Sequence, residues 1–284
     1  MIIAGFLLIV LTLFYFDVMW KSPSFYKVKQ LSQLETPIMN MKEYENIIST
    51  HRRPYIYSIT SKNGATVSIV GVNHKSNPAL PQFDSIRTQW KKLNPDIALV
   101  EGRVGFFFSW FQDPIEEYGE SGLTSYLAKK EKKELYTWEP SRQDEINLLV
   151  QKYTPEQLIM LYCLRPYFSM LRGGEISNPE EKMNELIKER TDYEHLKNVF
   201  SSYEDLDSEW KKYYPTMDWR NYKNKSGYMP EGIMYELWNS SNMARDEHLV
   251  QIILESIQNN KNVFATVGVS HAPRIEKTLR TALQ

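Results

Sequence analysis

Two short strings in this 284-residue chain carry side chains able to do chemistry: Gly71-Val72-Asn73-His74 and Gly268-Val269-Ser270-His271. Each closes an apolar, β-branched run, residues 66–70 in the first case and 263–267 in the second. Such runs predict buried strands. A glycine at the strand end lets the backbone turn. The histidine then falls at the strand's carboxyl edge, where open α/β sheets bind ligands. With 12 glycines and 5 histidines in the chain, random placement supplies only about 0.2 such strings. Two imidazoles on one edge can hold a divalent metal or act as acid–base groups.

Three acids and two arginines join them. Glu101 and Arg103 directly follow Ile97-Ala98-Leu99-Val100, a third strand-like run. A glutamate there can bind a cation or serve as a general base, and an arginine can hold an oxyanion or a carboxylate. Glu139 follows Leu135-Tyr136-Thr137-Trp138 in the same way, with Pro140 holding it extended. Arg245 and Asp246 lie in Asn242-Met243-Ala244-Arg245-Asp246-Glu247-His248, on a helix that precedes the last strand. Helical spacing can present Asn242, Arg245 and Asp246 to the sheet edge. His248 is expected on the solvated face of that helix.

Composition narrows the chemistry. The formal charge is −1, so no basic field points to nucleic acid. The one cysteine, Cys163, lies in an apolar run and excludes an internal disulfide and a cysteine-rich zinc site. No His-Glu-x-x-His helix, glycine-rich phosphate loop or Gly-x-Ser-x-Gly elbow is present. Two histidines with one or two carboxylates suit Mn, Co or Zn, with open positions to activate water.

The elements that position these groups read as α/β: a central mixed, mostly parallel sheet flanked by helices, with a helical middle region. Residues 55–60 and 66–70 form a hairpin around Lys62-Asn63-Gly64. Residues 83–93 show helical spacing, 97–100 a covered strand, 123–133 a helix and 135–138 a strand. Ser141 and Thr154 are expected to cap helices, and Pro166 to kink or end the second of these. Residues 179–203 read as one long helix. Residues 205–230 are aromatic and polar, either a lid over the site or a surface excursion packed by its own rings. A long helix over 233–259, a strand over 263–267 and a final helix over 275–283 complete the chain.

Residues 2–16 carry no charge, and Val18, Met19 and Trp20 extend that run past Asp17. About 20 apolar residues span a bilayer. The expectation is an uncleaved N-terminal transmembrane helix over 1–20, since no basic start or small-residue cleavage site is present. Lys21, Lys27 and Lys29 after it favour a cytoplasmic side for the rest. Residues 21–53 read as a polar linker with a short helix, and 54–284 as a single α/β domain with a helical, aromatic insertion at about 155–232.

The order of these pieces resembles the TraB, GumN and TIKI group, in a wider clan with erythromycin-esterase-like and ChaN-like proteins. The matching strings are Gly71 to His74, Val100-Glu101-Gly102-Arg103, Met243-Ala244-Arg245-Asp246 and Val267 to His271. The resemblance covers roughly residues 65–103 and 240–282. It implies a pocket at the strand ends and a membrane-tethered, divalent-metal-dependent peptidase. His74, Glu101 and His271 would be metal or catalytic groups, and Arg103 and Arg245 their electrostatic support. Glu139 is a spare acid or base. The Arg-Asp pair departs from the Arg-Asn of TIKI-type members, which leaves a peptide or a small ester as substrate. Other clan members imply a metal-independent esterase-like hydrolase or a non-catalytic haem- or small-ligand-binding protein.

Overall fold

The computed structural model describes residues 10–15, 18–222 and 229–284. Its strands, in chain order, are β1 (Met19–Trp20), β2 (Ser24–Phe25), β3 (Tyr55–Thr60), β4 (Thr66–Val72), β5 (Ile97–Val100), β6 (Phe107–Phe108), β7 (Glu134–Thr137) and β8 (Val263–Gly268). Its helices are α1 (Met41–Glu45), α2 (Pro81–Leu93), α3 (Pro114–Lys130), α4 (Arg142–Leu149), α5 (Pro155–Gly173), α6 (Pro179–Arg190), α7 (Tyr203–Tyr213), α8 (Ile233–Gln258) and α9 (His271–Leu283). The chain divides into two compact units, one of Met1–Pro140 with Arg245–Gln284, the other of Ser141–Ala244.

The first unit holds a six-stranded mixed sheet, ordered β2-β7-β5-β8-β4-β3. All neighbours are parallel except the β3–β4 hairpin. The α/β architecture with a mixed sheet flanked by helices therefore matches the sequence. β4, β5 and β8 are buried along nearly their whole length, as runs covered on both faces must be. One face carries α2 and α3, with Val70, Val72, Phe83, Ile86, Trp90, Leu123 and Phe264 closing a core. Strand alternation turns Gly71 to the opposite face, toward α9.

Both strand-end glycines have a reason other than a turn. Each lies inside its strand. A Cβ on Gly71 would sit 2.6 Å from Ala272 Cβ and 3.3 Å from the Tyr55 carbonyl oxygen. Gly71 is there because α9 packs onto the backbone of β4. Gly71→Ala is expected to cost about 1–3 kcal/mol, the usual range for overpacking, read as a lower urea midpoint with an unchanged slope.

The amino-terminal expectation needs correction. Residues 10–15 are helical, but Met19 and Trp20 form a strand against Phe108 and Phe107, and both are buried. They are consumed by backbone pairing and packing and do not extend a span. Among the described residues no helix is long and apolar enough to cross a membrane; residues 1–9 and 16–17 of the expected span lie outside them. The segment 21–53 is more than a linker. Ser24–Phe25 adds a parallel edge strand beside β7. Ser32 then exchanges hydrogen bonds with Gln251, and the Pro37 carbonyl accepts from Thr278.

The second unit is helical. Ser141 caps α4 and Thr154 forms a capping box with Gln157, as their spacing predicts. Pro166 does not end α5, which runs through it to Gly173. The helix expected over 179–203 stops at Arg190, and α7, from Tyr203 to Tyr213, occupies the start of what reads as an irregular insertion from 205. Trp210, Tyr214 and Trp219 are buried in this unit's own core with Leu206 and Phe168. Most rings of 205–222 are thus core material, with Tyr222 packed against it and Tyr213 exposed, and 223–228 lie outside the described residues. Cys163 is fully buried there, and burial pushes its thiol up to about 12, so it is no nucleophile.

Candidate active site

Parallel register brings the chemistry together. Val72 pairs with Gly268, Leu99 with Ala265, and Val100 with Thr137. The carboxyl ends of β4, β8, β5 and β7 therefore form one edge. His74, Glu101, Glu139 and His271 all emerge there, and the C-terminal half of α8 adds Arg245 and Asp246.

Glu101 is the centre. Its Oε1 accepts from Arg245 Nη2 at 2.9 Å, and its Oε2 accepts the Gly268 backbone N–H at 2.5 Å. The Nε2 atoms of His74 and His271 lie 3.8 and 3.7 Å from the same Oε1. Burial by itself would raise the Glu101 pKa. The charges of His271, Arg245 and His74 and the Gly268 N–H outweigh it and hold the carboxyl at about 2. This approach needs glycine at 268, where a Cβ would stand 2.8 Å from His74 Nε2 and 3.2 Å from Glu101 Oε2.

A carboxylate braces each histidine. His74 Nδ1 bonds Glu120 Oε1 at 2.5 Å, and His271 Nδ1 bonds Asp246 Oδ1. Asp246 also pairs with Arg274 at 2.9 Å, both side chains being fully buried. The hydrogen bond that His74 donates to the Glu120 carboxylate raises its pKa, burial opposes it, and the charge of Glu101 adds to it; the imidazole titrates at about 9. The two histidines differ in access. The His74 side chain is 63 % exposed and that of His271 5 %.

Arg245 pairs with Glu139 as well as Glu101. Its guanidinium lies 5.4 Å from the centroid of the buried Trp138 ring, and that ring meets His271 edge-on at 5.2 Å. Trp138 is held by its Nε1–H on the Thr266 carbonyl at 3.2 Å. His248 does not sit on a solvated face: it is half-buried, with Nδ1 2.6 Å from the Trp138 carbonyl. Arg103 is exposed, lies 5.2 Å from the Phe25 ring and makes no ion pair among the described residues.

A cavity of about 450 Å³ opens on this edge, lined by His74, Glu101, Arg103, Tyr118 and Glu120 among others. His271 and Arg245 do not line it; they support Glu101 from behind. Of the six site residues read from the sequence, His74, Arg245 and His271 surround the Glu101 carboxylate and Glu139 pairs with Arg245, whereas Arg103 shares only the cavity with Glu101; three of the six, His74, Glu101 and Arg103, line that cavity. Glu120 and Arg274 were not legible as site residues. Glu120 sits where α3 departs from helical geometry at Tyr118 and Gly119. The glycine within that helix is the signal that marks the kink.

The group partly suits a divalent metal, since carboxylates at Nδ1 are the usual outer partners of metal-binding imidazoles. Its arrangement does not. Both Glu101 oxygens already accept hydrogen bonds, and the Arg245 charge stands 2.9 Å from the oxygen that would face the ion. Among the described residues no three His, Cys, Asp or Glu side chains are placed to hold a metal. The ligand set His74, Glu101 and His271 therefore does not fit Mn, Co or Zn as placed.

The depressed Glu101 pKa carries a pH signature. The carboxylate contributes stability at pH values above its ordinary 4.5, and that contribution disappears as pH falls from 4.5 toward 2. It amounts to about 3 kcal/mol at neutral pH. Glu101→Gln is expected to flatten the loss of stability across that window, measured by urea unfolding at a series of pH values. An identical acid limb in the two proteins would refute the assignment.

Comparison with family models, with curated proteins and with solved structures gave no match for this chain.

Proposed function

We propose that this protein is a hydrolase of small esters or peptides that works through a histidine–carboxylate dyad without a metal. The observation that carries the reading is His74. Its Nδ1 is fixed by the buried Glu120, its Nε2 lies 3.8 Å from Glu101 Oε1, and its side chain lines a cavity that also holds Glu101 and Arg103. Fixing Nδ1 selects the tautomer whose Nε2 lone pair can take a proton from water. As that proton passes to Nε2 the water oxygen bonds to the acyl carbon; the imidazolium so formed faces the Glu101 carboxylate, which stabilises it, and returns the proton to the leaving oxygen or nitrogen as its bond to the acyl carbon breaks. Arg103 supplies positive charge for the developing oxyanion. His271, Asp246, Arg245 and Glu139 are positioning residues that hold Glu101 in place. The likeness of the short motifs to the TraB, GumN and TIKI group agrees with hydrolysis, and the apolar run over residues 2–16 with attachment to a bilayer.

The test is turnover by the purified full chain of a panel of chromogenic esters and fluorogenic peptides, with and without EDTA. Activity should survive EDTA and disappear in His74→Ala. Activity that EDTA removes and Mn, Co or Zn restores would replace the dyad with a metal. A His74→Ala protein as active as wild type would end the proposal.

A further inference from the structure

We propose that residues 106–111 form a docking loop that seats the protein on an anionic lipid surface, a membrane contact additional to the amino-terminal run it adjoins. The loop, Phe106-Phe107-Phe108-Ser109-Trp110-Phe111, displays three large rings to solvent: Phe106, Trp110 and Phe111 are 60, 74 and 73 % exposed. Exposed aromatic rings so concentrated mark an interaction surface. The loop is held rigidly. Phe107 and Phe108 pair with Trp20 and Met19. The Ser109 N–H donates to the Val18 carbonyl at 2.9 Å, the Phe108 N–H to Gln112 at 2.6 Å, and the Tyr118 hydroxyl to the Phe106 carbonyl at 2.9 Å. Phe111 stacks on Phe108 at 5.2 Å. The rings are therefore presented in a preformed arrangement.

Three observations identify the occupant as lipid. The patch continues into the apolar amino-terminal run: Phe14 meets Phe106 edge-on at 5.9 Å, and Leu11 and Tyr15 of the helical residues 10–15 are exposed too. The residue types, Trp, Phe and Tyr, are those that settle at the level of lipid headgroups. Lysines flank the same two strands. Lys129 lies 5.6 Å from the Trp20 ring, which itself packs on Phe107 at 4.3 Å. Lys130 lies 5.8 Å from the ring of Tyr126, which neighbours Trp20 at 6.2 Å. These lysines flank the buried strand pair that carries the loop, and ammonium groups near such an aromatic surface complement anionic headgroups. Gly102, Arg103 and Val104 line the cavity and run straight into this loop, so docking would bring the cavity mouth to the lipid surface. The proposal does not depend on the hydrolase reading.

The test uses the full chain in phosphatidylcholine vesicles with and without phosphatidylglycerol. Phe111→Cys is labelled with an environment-sensitive fluorophore, and Leu148→Cys, exposed in the other unit, is the reference; native Cys163 is buried. The label at 111 should be quenched by brominated lipid chains and be several-fold less accessible to aqueous iodide than the label at 148. Phosphatidylglycerol should strengthen both effects, and Lys129→Glu with Lys130→Glu should weaken them. Equal iodide access at 111 and 148 would overturn the proposal. So would protection from iodide without quenching by brominated lipid, which would mean that protein, such as a second copy, covers the loop. Effects indifferent to phosphatidylglycerol would overturn its anionic specificity.

Discussion

Asp246→Ala is expected to destabilise the protein by about 3–5 kcal/mol, the range for removing one partner of a buried ion pair. Asp246 is fully buried and answers two cationic or hydrogen-bonding partners, Arg274 Nη1 at 2.9 Å and His271 Nδ1. Its loss leaves the Arg274 guanidinium in dry surroundings, with Nε still on the Met39 carbonyl at 2.8 Å. Most of the cost is the buried guanidinium losing its carboxylate rather than the attraction removed. The double variant Asp246→Leu/Arg274→Met should then recover much of the lost stability, since replacing a whole buried pair with apolar groups is often neutral. Urea unfolding of the wild type, Asp246→Ala and the double variant measures it. A loss below about 1 kcal/mol in Asp246→Ala would show that solvent reaches the pair and that this support for His271 is weak.

This support was only half visible in the sequence. The strand ends were legible because parallel strands share one carboxyl edge: once residues 66–72, 97–100 and 263–268 pair in parallel, His74, Glu101 and His271 have to approach one another. Arg245 and Asp246 were legible as a helical pair, but periodicity does not say that Arg245 turns to Glu101 while Asp246 turns to His271 and Arg274. Glu120 was not legible because its place depends on the kink at Tyr118 and Gly119, a tertiary feature inside an otherwise helical pattern. Apolar runs misled at the amino terminus, where Met19 and Trp20 read as part of a span and instead pair with Phe108 and Phe107. Their burial against residues almost ninety positions away leaves no local signature. The aromatic stretch after residue 205 misled in the opposite sense. Its polar spacing hides rings that fill the helical unit's core.

His74→Ala should lower kcat by about 10²–10⁴-fold, the usual share of a positioned acid–base group, on whichever ester or peptide the wild type turns over. Loss of rate alone would not separate a catalytic histidine from one that merely shapes the cavity; the pH profile does. A base must be deprotonated to accept a proton from water, and His74 titrates at about 9 because Glu120 bonds its Nδ1. The wild-type rate should therefore climb about tenfold per pH unit below 9 and level off above it. Glu120→Gln removes the largest cause of the upward shift and should move that break toward 6.5, the ordinary value for histidine. The variant should reach its plateau at lower pH, and that plateau should be lower because a less basic imidazole is a weaker proton acceptor. A break that stays near 9 in Glu120→Gln would separate the observed titration from this dyad. A profile flat from pH 6 to 9 in the wild type would remove His74 from proton transfer altogether and leave it an electrostatic neighbour of Glu101.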